Sequence, residues 1–164
     1  MTEFHLRRLT GDDLPFLQLM LREASCWDED PPHTSVADVL ADPSLARYVD
    51  GWGRAGDTAV VAVAANGDPA GAAWYRLFGD DDRGYGFVSR DIPELGIAVV
   101  PQWRGRGAGD ALLRDLVEAA RSEGHVALSL SVDLGNGRAL ALYERLGFTR
   151  VDRAGDSWTM LVEL

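Results

Sequence analysis

The stretch Leu95–Leu113, which reads LGIAVVPQWRGRGAGDALL, carries the clearest folding signals in this chain of 164 residues. It continues an apolar run that predicts a β-strand over Glu94–Val100, ended by Pro101. It also opens the clearest predicted helix, Gly107–Glu123, because apolar residues recur there on one helical face. A glycine-rich turn, Arg104–Gly109, lies between the two, so the predicted order is strand, glycine turn, helix.

The glycine turn suits a phosphate group. The N-terminus of a helix leaves backbone N–H groups without partners and carries a partial positive charge. Glycine lets the main chain approach a ligand closely, and the guanidinium groups of Arg104 and Arg106 add donors. The alternative is an ordinary tight turn with solvated arginines. The dinucleotide pattern G-x-G-x-x-G fits poorly, because Asp110 stands where the third glycine belongs.

Further elements surround this stretch and indicate a mixed α/β fold. We expect one domain over residues 1–164, since one chain of this length ordinarily forms one domain and no linker or repeat interrupts it. The glycine-rich segment Phe78–Asp91 is interpreted as a mobile loop. Additional strands are predicted over Phe4–Leu9, Ala59–Ala65, Ala70–Leu77, Val126–Val132, Phe148–Asp152 and Ser157–Leu164, and additional helices over Leu14–Ala24, Ser35–Ala41 and Arg138–Leu146.

Charge and composition narrow the classes of partner. The net charge of −10 disfavours binding to nucleic acid or to an anionic membrane, so neither is expected as a partner. The chain has no lysine, which excludes a Walker A phosphate loop. No apolar run has the length of a membrane span, the N-terminus lacks the apolar core of a signal peptide, and Cys26 is the single cysteine. We therefore expect a cytoplasmic protein, and the arginine-only basicity suggests a bacterial source.

A second motif lies downstream: Asn136, Ala139, Leu142-Tyr143-Glu144 and Leu146-Gly147-Phe148. It resembles the pattern N-x-x-A-x-x-L-Y-E-x-x-G-F of the GCN5-related N-acetyltransferases (GNAT family). The glycine turn resembles the same family's acyl-CoA motif, [Q/R]-x-x-G-x-[G/A], at Arg104, Gly107 and Gly109. The two motifs stand in the family's order, and the spacing between them accommodates one helix and one strand.

The resemblance implies a GNAT-like fold, a twisted mixed sheet of about six or seven strands flanked by about four helices. It also implies that the sheet opens beside the Glu94–Val100 strand and holds acetyl-CoA there, with no metal. His33 and His125 alone do not make a metal site. The residues expected to contact acetyl-CoA are Ile97, Ala98, Val99, Arg104, Gly105, Arg106, Gly107, Ala108, Gly109, Asp110 and Asn136.

Two residues are predicted to be catalytic by the same resemblance. Tyr143 matches the family's proton donor, although it also fits a packing role in an amphipathic helix. Glu94 is the candidate base, although it stands one residue from the family's usual register; such an offset can turn the side chain to the wrong face of the strand, and a bulge can restore it. Ser131 occupies the position where another subgroup of the family places a glutamate.

The acceptor is expected to bind at Trp27, Asp28 and Glu29, in a loop that lines the acceptor cleft of relatives. Together with Trp52 and Trp74, these residues predict a small cationic amine, while a solvated acidic loop is the alternative. The predicted reaction is acetyl transfer from acetyl-CoA to a primary amine by direct attack in a ternary complex. Acetylation of a peptide N-terminus or a lysine, and a non-catalytic acyl-CoA sensor, are the alternative functions. A homodimer is compatible with the sequence.

Overall fold

The computed structural model describes residues 3–164, so residues 1 and 2 of the predicted domain lie outside the described residues. A mixed sheet of seven strands runs through the described chain in the order β1-β2-β3-β4-β5-β7-β6. All neighbouring strands are antiparallel except β4 and β5, which are parallel. The strands are β1 Phe4–Arg8, β2 Thr58–Ala64, β3 Pro69–Arg76, β4 Glu94–Val99, β5 Ala127–Asp133, β6 Thr149–Ala154 and β7 Ser157–Glu163.

Helices cover both faces of the sheet and confirm the predicted GNAT-like α/β architecture. On one face, the buried leucines of α4 pack with residues of β2, β3 and β5; on the other, Leu17 and Met20 of α1 pack with Trp74. No helix among residues 3–164 has the length and apolarity needed to cross a membrane. The helices are α1 Leu14–Ser25, α2 Val36–Leu40, α3 Pro43–Ala46, α4 Ala108–Ser122 and α5 Gly137–Arg145.

Local sequence signals explain where two of the helices begin or end. Ser35 precedes α2, and its Oγ accepts a hydrogen bond from the N–H of Asp38 at 3.0 Å, as an N-cap does. α4 begins after Gly107, which has φ of +88°, and is followed by Gly124 at φ +85°, the left-handed position that favours glycine after a helix. The short helix α3 was not predicted, because four residues are too few to show a helical period.

The sheet separates between β4 and β5. The two strands pair only at Glu94 and Ser129, where the N–H of Ser129 donates to the carbonyl of Pro93 at 3.0 Å. On its other side, β4 pairs with β3 without irregularity from Glu94 to Val99. Beyond Glu94, the side of β4 that faces β5 therefore has no neighbouring strand, and a gap opens in the middle of the sheet.

The segment 78–91 is irregular, as predicted, but it is packed rather than merely solvated. Phe78 is 3% exposed, and its ring meets Tyr48 edge-on with centroids 5.3 Å apart. At Gly86, an added Cβ would overlap the main chain of Leu130 in β5. The segment therefore lies close against the sheet beside the first residue of β4.

Candidate active site

The edge of β4 that faces the gap offers main-chain groups without strand partners. The N–H of Val100 donates to the carbonyl of Ala70 in β3 at 2.8 Å. Because hydrogen bonding alternates along an antiparallel pair, Ala98 also directs its main-chain groups toward β3, whereas Ile97 and Val99 direct theirs toward the gap. Of the three residues predicted to offer main-chain contacts, this geometry leaves Ile97 and Val99, and it corrects the prediction for Ala98.

The glycine turn presents a row of free donors at the start of α4. Within residues 3–164, the backbone N–H groups of 105–110 donate to no protein acceptor, and the first donor of the helix ladder is Ala111, to the carbonyl of Gly107 at 3.1 Å. Gly105 and Gly107 both have positive φ, and an added Cβ on either would meet open space. This arrangement has the features of an anion cradle, namely converging N–H groups with no side chain above them.

The charged side chains of the turn point to protein partners. Arg104 donates from Nε to the carbonyl of Val99 at 2.9 Å and from Nη2 to Glu23 at 3.1 Å. Arg106 lies over the ring of Trp103, 4.9 Å from its centroid. The carboxylate of Asp110 accepts a hydrogen bond from Arg145 at 2.6 Å, so it is held by α5. The arginines thus offer less free charge than the sequence predicts, and the main chain supplies most of the anion-binding character.

The second motif brings Asn136 and Tyr143 into α5 and its N-cap. Oδ1 of Asn136 accepts from the N–H of Ala139 at 3.2 Å, the capping role that the sequence left open beside ligand contact. Tyr143 is 7% exposed, packs against Phe148, and has no hydrogen-bond partner for its hydroxyl among the described residues. Burial raises the pKa of this phenol, so it stays protonated at neutral pH and is a hydrogen-bond donor.

Glu94 is the most unusual group in the site. Only 2% of the residue is exposed, and Oε1 accepts hydrogen bonds from the hydroxyl of Tyr48 at 2.6 Å and from the N–H of Gly86 at 2.7 Å. Burial raises the pKa of Glu94 to about 7, although these two hydrogen bonds act in the opposite direction. The side chain shares its face of β4 with Ala98 and lies under the segment 84–86. β4 contains no bulge, so the one-residue offset noted in the sequence is not restored.

The second oxygen of Glu94 has no partner. Oε2 is buried and makes no hydrogen bond to the described residues, and the same is true of the hydroxyl of Ser129, the strand partner of Glu94. An added Cβ on Gly84 would overlap Oε2, so the main chain of this glycine covers the oxygen closely. A buried polar atom without a partner costs about 1–3 kcal/mol, which marks this carboxylate as a functional candidate.

The predicted acceptor loop lies beside the second motif. Trp27 is 36% exposed, and its indole lies 3.6 Å from where a Cβ on Gly135 would stand, one residue before Asn136. Asp28 is also exposed. A surface cavity of about 480 Å³ is lined by Asp28, Glu29, Asp30, Pro31 and His33.

Glu29 is engaged in closing its own loop. Its carboxylate accepts from Arg22 at 3.1 Å and from the N–H groups of Thr34 at 2.9 Å and His33 at 3.1 Å. The hydrogen bonds from Thr34, including its hydroxyl at 2.5 Å, lower the pKa of Glu29 to about 2. These contacts give Glu29 a role in closing its own loop, and its contact with the acceptor stays a prediction.

Neither additional tryptophan joins this loop. Trp74 is 1% exposed and lies against Gly96, where an added Cβ would come within 2.7 Å of the indole. Trp52 lies beside the guanidinium of Arg76, whose central carbon is 5.2 Å from the ring centroid. Trp74 is therefore a core residue, which corrects the interpretation of its ring as an acceptor contact.

Tyr48 and the segment 84–86 were not predicted as site residues. Tyr48 precedes Glu94 by 46 residues, and no local motif surrounds it.

Across residues 3–164, no three His, Cys, Asp or Glu side chains are grouped as ligands of a metal ion.

Comparison with known proteins places this chain in a family. The family model "Acetyltransferase (GNAT) family" matches residues 17–148. The L-methionine sulfoximine/L-methionine sulfone acetyltransferase of Pseudomonas paraeruginosa is 30% identical over 141 residues, which is 83% of this chain and 74% of that protein. The chain thus belongs to the GNAT family of acetyltransferases, as the two motifs predicted.

Other relatives match more narrowly or in fold alone. Mycothiol acetyltransferase of Corynebacterium glutamicum is 37% identical over 89 residues, 48% of this chain but only 30% of that longer protein. The structure of a GNAT protein from Kribbella flavida covers 99% of this chain and 98% of its own with a TM-score of 0.70 and 21% identity. A phosphinothricin acetyltransferase from Sinorhizobium meliloti, solved in complex with AcCoA, matches 99% of this chain and 89% of its own chain, with a TM-score of 0.70 and 23% identity.

The contact between Gly84 and Glu94 yields a stability prediction. In Gly84→Ala, the new methyl group overlaps Oε2 and lies 2.7 Å from Oη of Tyr48, so the carboxylate or the segment 84–86 must move. We expect a loss of about 1–3 kcal/mol in the free energy of unfolding, measured by urea titration.

Gly11→Ala is the matched control. It also lacks positive φ, and no heavy atom lies within 4 Å of its added Cβ. The control is expected to change stability by less than about 0.5 kcal/mol. Equal stabilities of the two variants would contradict the close packing of Gly84 on Glu94.

Proposed function

We propose that this chain transfers an acetyl group from acetyl-CoA to the primary amine of a small cationic molecule, by direct attack in a ternary complex. One observation carries the proposal: the free N–H groups of 105–110 lie at the start of α4, beside the unpaired edge of β4. A diphosphate and an amide-bearing arm are the chemistry that matches such a pair of neighbouring main-chain sites.

Different main-chain and side-chain groups contact different parts of acetyl-CoA in this proposal. The N–H groups of 105–110 bind the diphosphate, and the main-chain groups of Ile97 bind the amides of the pantetheine arm, as an added strand does. The carbonyl of Val99 is held by Arg104, so Val99 offers only its N–H, which lies free for the thioester end of the cosubstrate. The side-chain amide of Asn136 keeps its Nδ2 for the same arm while Oδ1 caps α5. Bound acetyl-CoA supplies a thioester with an electrophilic carbonyl carbon.

The proposed chemistry uses Glu94 and Tyr143 as base and acid. Glu94 takes a proton from the acceptor ammonium through a water, because only 2% of the residue is exposed, and its raised pKa brings it closer to the ammonium value near 10. The amine nitrogen then forms a bond to the carbonyl carbon, and the carbon–sulfur bond breaks with its electron pair on sulfur. Tyr143 gives its proton to that thiolate. The nitrogen loses its second proton as the amide forms, which restores the phenol of Tyr143, and Glu94 releases the first proton to solvent. A gap-facing N–H near Val99 stabilises the carbonyl oxygen during the attack.

The acceptor is proposed from charge and from the relatives. Asp28 supplies an exposed carboxylate and Trp27 an aromatic face at the acceptor loop, which together suit an organic cation. Relatives with broad coverage are named for small molecules: the methionine sulfoximine enzyme, and a streptothricin acetyltransferase of Streptomyces lavendulae, 31% identical over 70% of this chain. A ribosomal-protein alanine acetyltransferase of Salmonella typhimurium matches 32% of the chain.

A thiol-release screen tests the proposed function. The purified chain is mixed with acetyl-CoA and with amino acids, polyamines, aminoglycoside-type amines and short peptides, and free thiol is measured. We expect release that depends on a small cationic amine and is absent without it. Release with peptides alone favours a peptide acceptor, whereas calorimetric binding of acetyl-CoA without release from any amine favours a sensor, and both outcomes contradict the proposal.

Gly107→Val should weaken acetyl-CoA binding by at least about tenfold, since the branched side chain enters the open space above the N–H groups of the turn. The dissociation constant is measured by isothermal titration calorimetry. Gly124→Val is the control at the other end of α4: Gly124 also has a positive φ, +85° against +88°, and no heavy atom lies within 4 Å of its added Cβ. Both variants place a branched side chain at positive φ, so equal affinities would show that the turn does not bind the cosubstrate.

Tyr143→Phe should lower kcat by about 10²–10³-fold with little change in the affinity for acetyl-CoA, because the variant keeps the ring and loses only the proton donor. Steady-state kinetics and calorimetry measure the two quantities. Phe at this position preserves the packing on Phe148, so a folded variant is expected. Unchanged kcat would return Tyr143 to the packing role.

A further inference from the structure

Tyr48 lies two residues after the end of α3 and reaches the carboxylate of Glu94 from outside the sheet. Its hydroxyl donates to Oε1 at 2.6 Å and accepts a hydrogen bond from the N–H of Tyr85 at 2.8 Å. The donor direction of the hydroxyl is therefore set, because the N–H of Tyr85 occupies its acceptor side. A rotation of the O–H bond away from Glu94 breaks the hydrogen bond to Oε1.

The two oxygens of Glu94 are made unequal by this contact. Oε1 receives two donors, the hydroxyl of Tyr48 and the N–H of Gly86, whereas Oε2 receives none. The lone pairs of Oε1 are thus directed at protein donors, and Oε2 is the oxygen with lone pairs available to a proton.

We propose that Tyr48 is a positioning residue that holds Oε1 of Glu94, so that Oε2 is the atom that takes up the proton relayed from the amine through water. This inference rests on the proposed role of Glu94 as the base. Tyr48 itself touches neither substrate. It acts through the carboxylate, by fixing its orientation and by favouring its charged form over the neutral one.

A buried arginine fixes the segment that carries Tyr48. Arg76 of β3 donates to the main-chain carbonyls of Arg47 at 2.9 Å and Asp50 at 2.6 Å, on either side of Tyr48. The same guanidinium binds Asp57 in a bidentate pair, with distances of 2.9 and 2.7 Å. Both side chains are at most 2% exposed. The phenol is thereby attached to the sheet at the strand next to β4.

The surroundings of Glu94 contain few other charges. Arg47 lowers the pKa of the carboxylate weakly, and Arg76, the strand partner of Glu94 in β3, is neutralised by Asp57. The segment 84–86 contributes main-chain atoms, and β5 contributes the uncharged Ser129. Burial raises the pKa of the Tyr48 phenol, and the neighbouring negative charge of Glu94 raises it further. The phenol therefore remains a donor throughout the range in which Glu94 titrates.

Carboxyl-carbon NMR tests the inference without any acceptor. Protein labelled with ¹³C at the glutamate side-chain carboxyl is titrated with pH, and the Glu94 signal is assigned by its loss in Glu94→Gln. In Tyr48→Phe, the ring packing on Phe78 remains but the hydrogen bond to the charged form is lost. We expect the midpoint for Glu94, near pH 7 in the unaltered protein, to rise by about one pH unit.

Tyr75→Phe is the matched control. Tyr75 also donates its hydroxyl to a glutamate, Glu123, but its ring packs in the cluster on the α4 face of the sheet. The Tyr75→Phe variant should leave the titration midpoint of Glu94 unchanged. An unmoved midpoint in Tyr48→Phe, or an equal shift in the control, overturns the role of Tyr48.

The proposed role of Glu94 is tested separately. Thiol release by Glu94→Gln is measured with the amine that reacts fastest in the screen. A large loss of kcat, together with the NMR shift in Tyr48→Phe, supports the inference. Full activity of Glu94→Gln overturns Glu94 as the base, even when the NMR shift is present.

Discussion

The separation of β4 from β5 is the constraint on which the rest of the site depends. Main-chain groups in the middle of a sheet ordinarily find partners on both sides. Here the parallel pair ends at Glu94 and Ser129, and the gap-facing groups of Ile97 and Val99 continue without a strand beside them. The side chain of Arg104 occupies one of these groups, the carbonyl of Val99. The free N–H groups at the start of α4 follow this edge of β4 along the chain after only a few residues.

A chain of ion pairs connects the glycine turn with the acceptor loop. Arg104 binds Glu23, Arg22 binds both Glu23 and Glu29, and Glu29 closes the loop that contains Trp27. Arg22 is 5% exposed, so its two carboxylate partners offset the cost of burying its charge. The ion pair with Glu23 compensates the charge of the Arg104 guanidinium. In this protein of net charge −10, an anion at the glycine turn therefore meets mainly main-chain N–H donors.

The packing around Glu94 combines close approach with incomplete hydrogen bonding. Gly84 and Gly86 bring main chain against the carboxylate and against β5 at distances that no side chain permits. Oε2 of Glu94 and the hydroxyl of Ser129 are left without protein partners in the described residues, on neighbouring strands at the point where the sheet separates. Burial without full compensation raises the pKa of the carboxylate toward neutrality, a value suited to a base that works at physiological pH.

Much of the fold and part of the site followed from the amino-acid order alone. Local periodicity located α1, α4 and the strands within a few residues, and two spaced motifs indicated the family and the glycine turn. The placement of Tyr143 in a helix and of Asn136 at the N-cap of that helix also followed from their positions in the second motif. These features are local, because each depends on neighbours within one or two turns of the chain.

Contacts between distant segments were decided only by the tertiary structure. Strand register determined that the main-chain groups of Ala98 are directed toward β3 and that the side chain of Glu94 lies under the segment 84–86. A shift of one residue reverses both directions. The hydrogen bond from Tyr48 joins residues 46 positions apart, and no local pattern encodes it. The sequence by itself determined the turn, the helices and the family, whereas the folded packing decided which oxygens and N–H groups stay free, because that depends on which donors the rest of the chain brings to them.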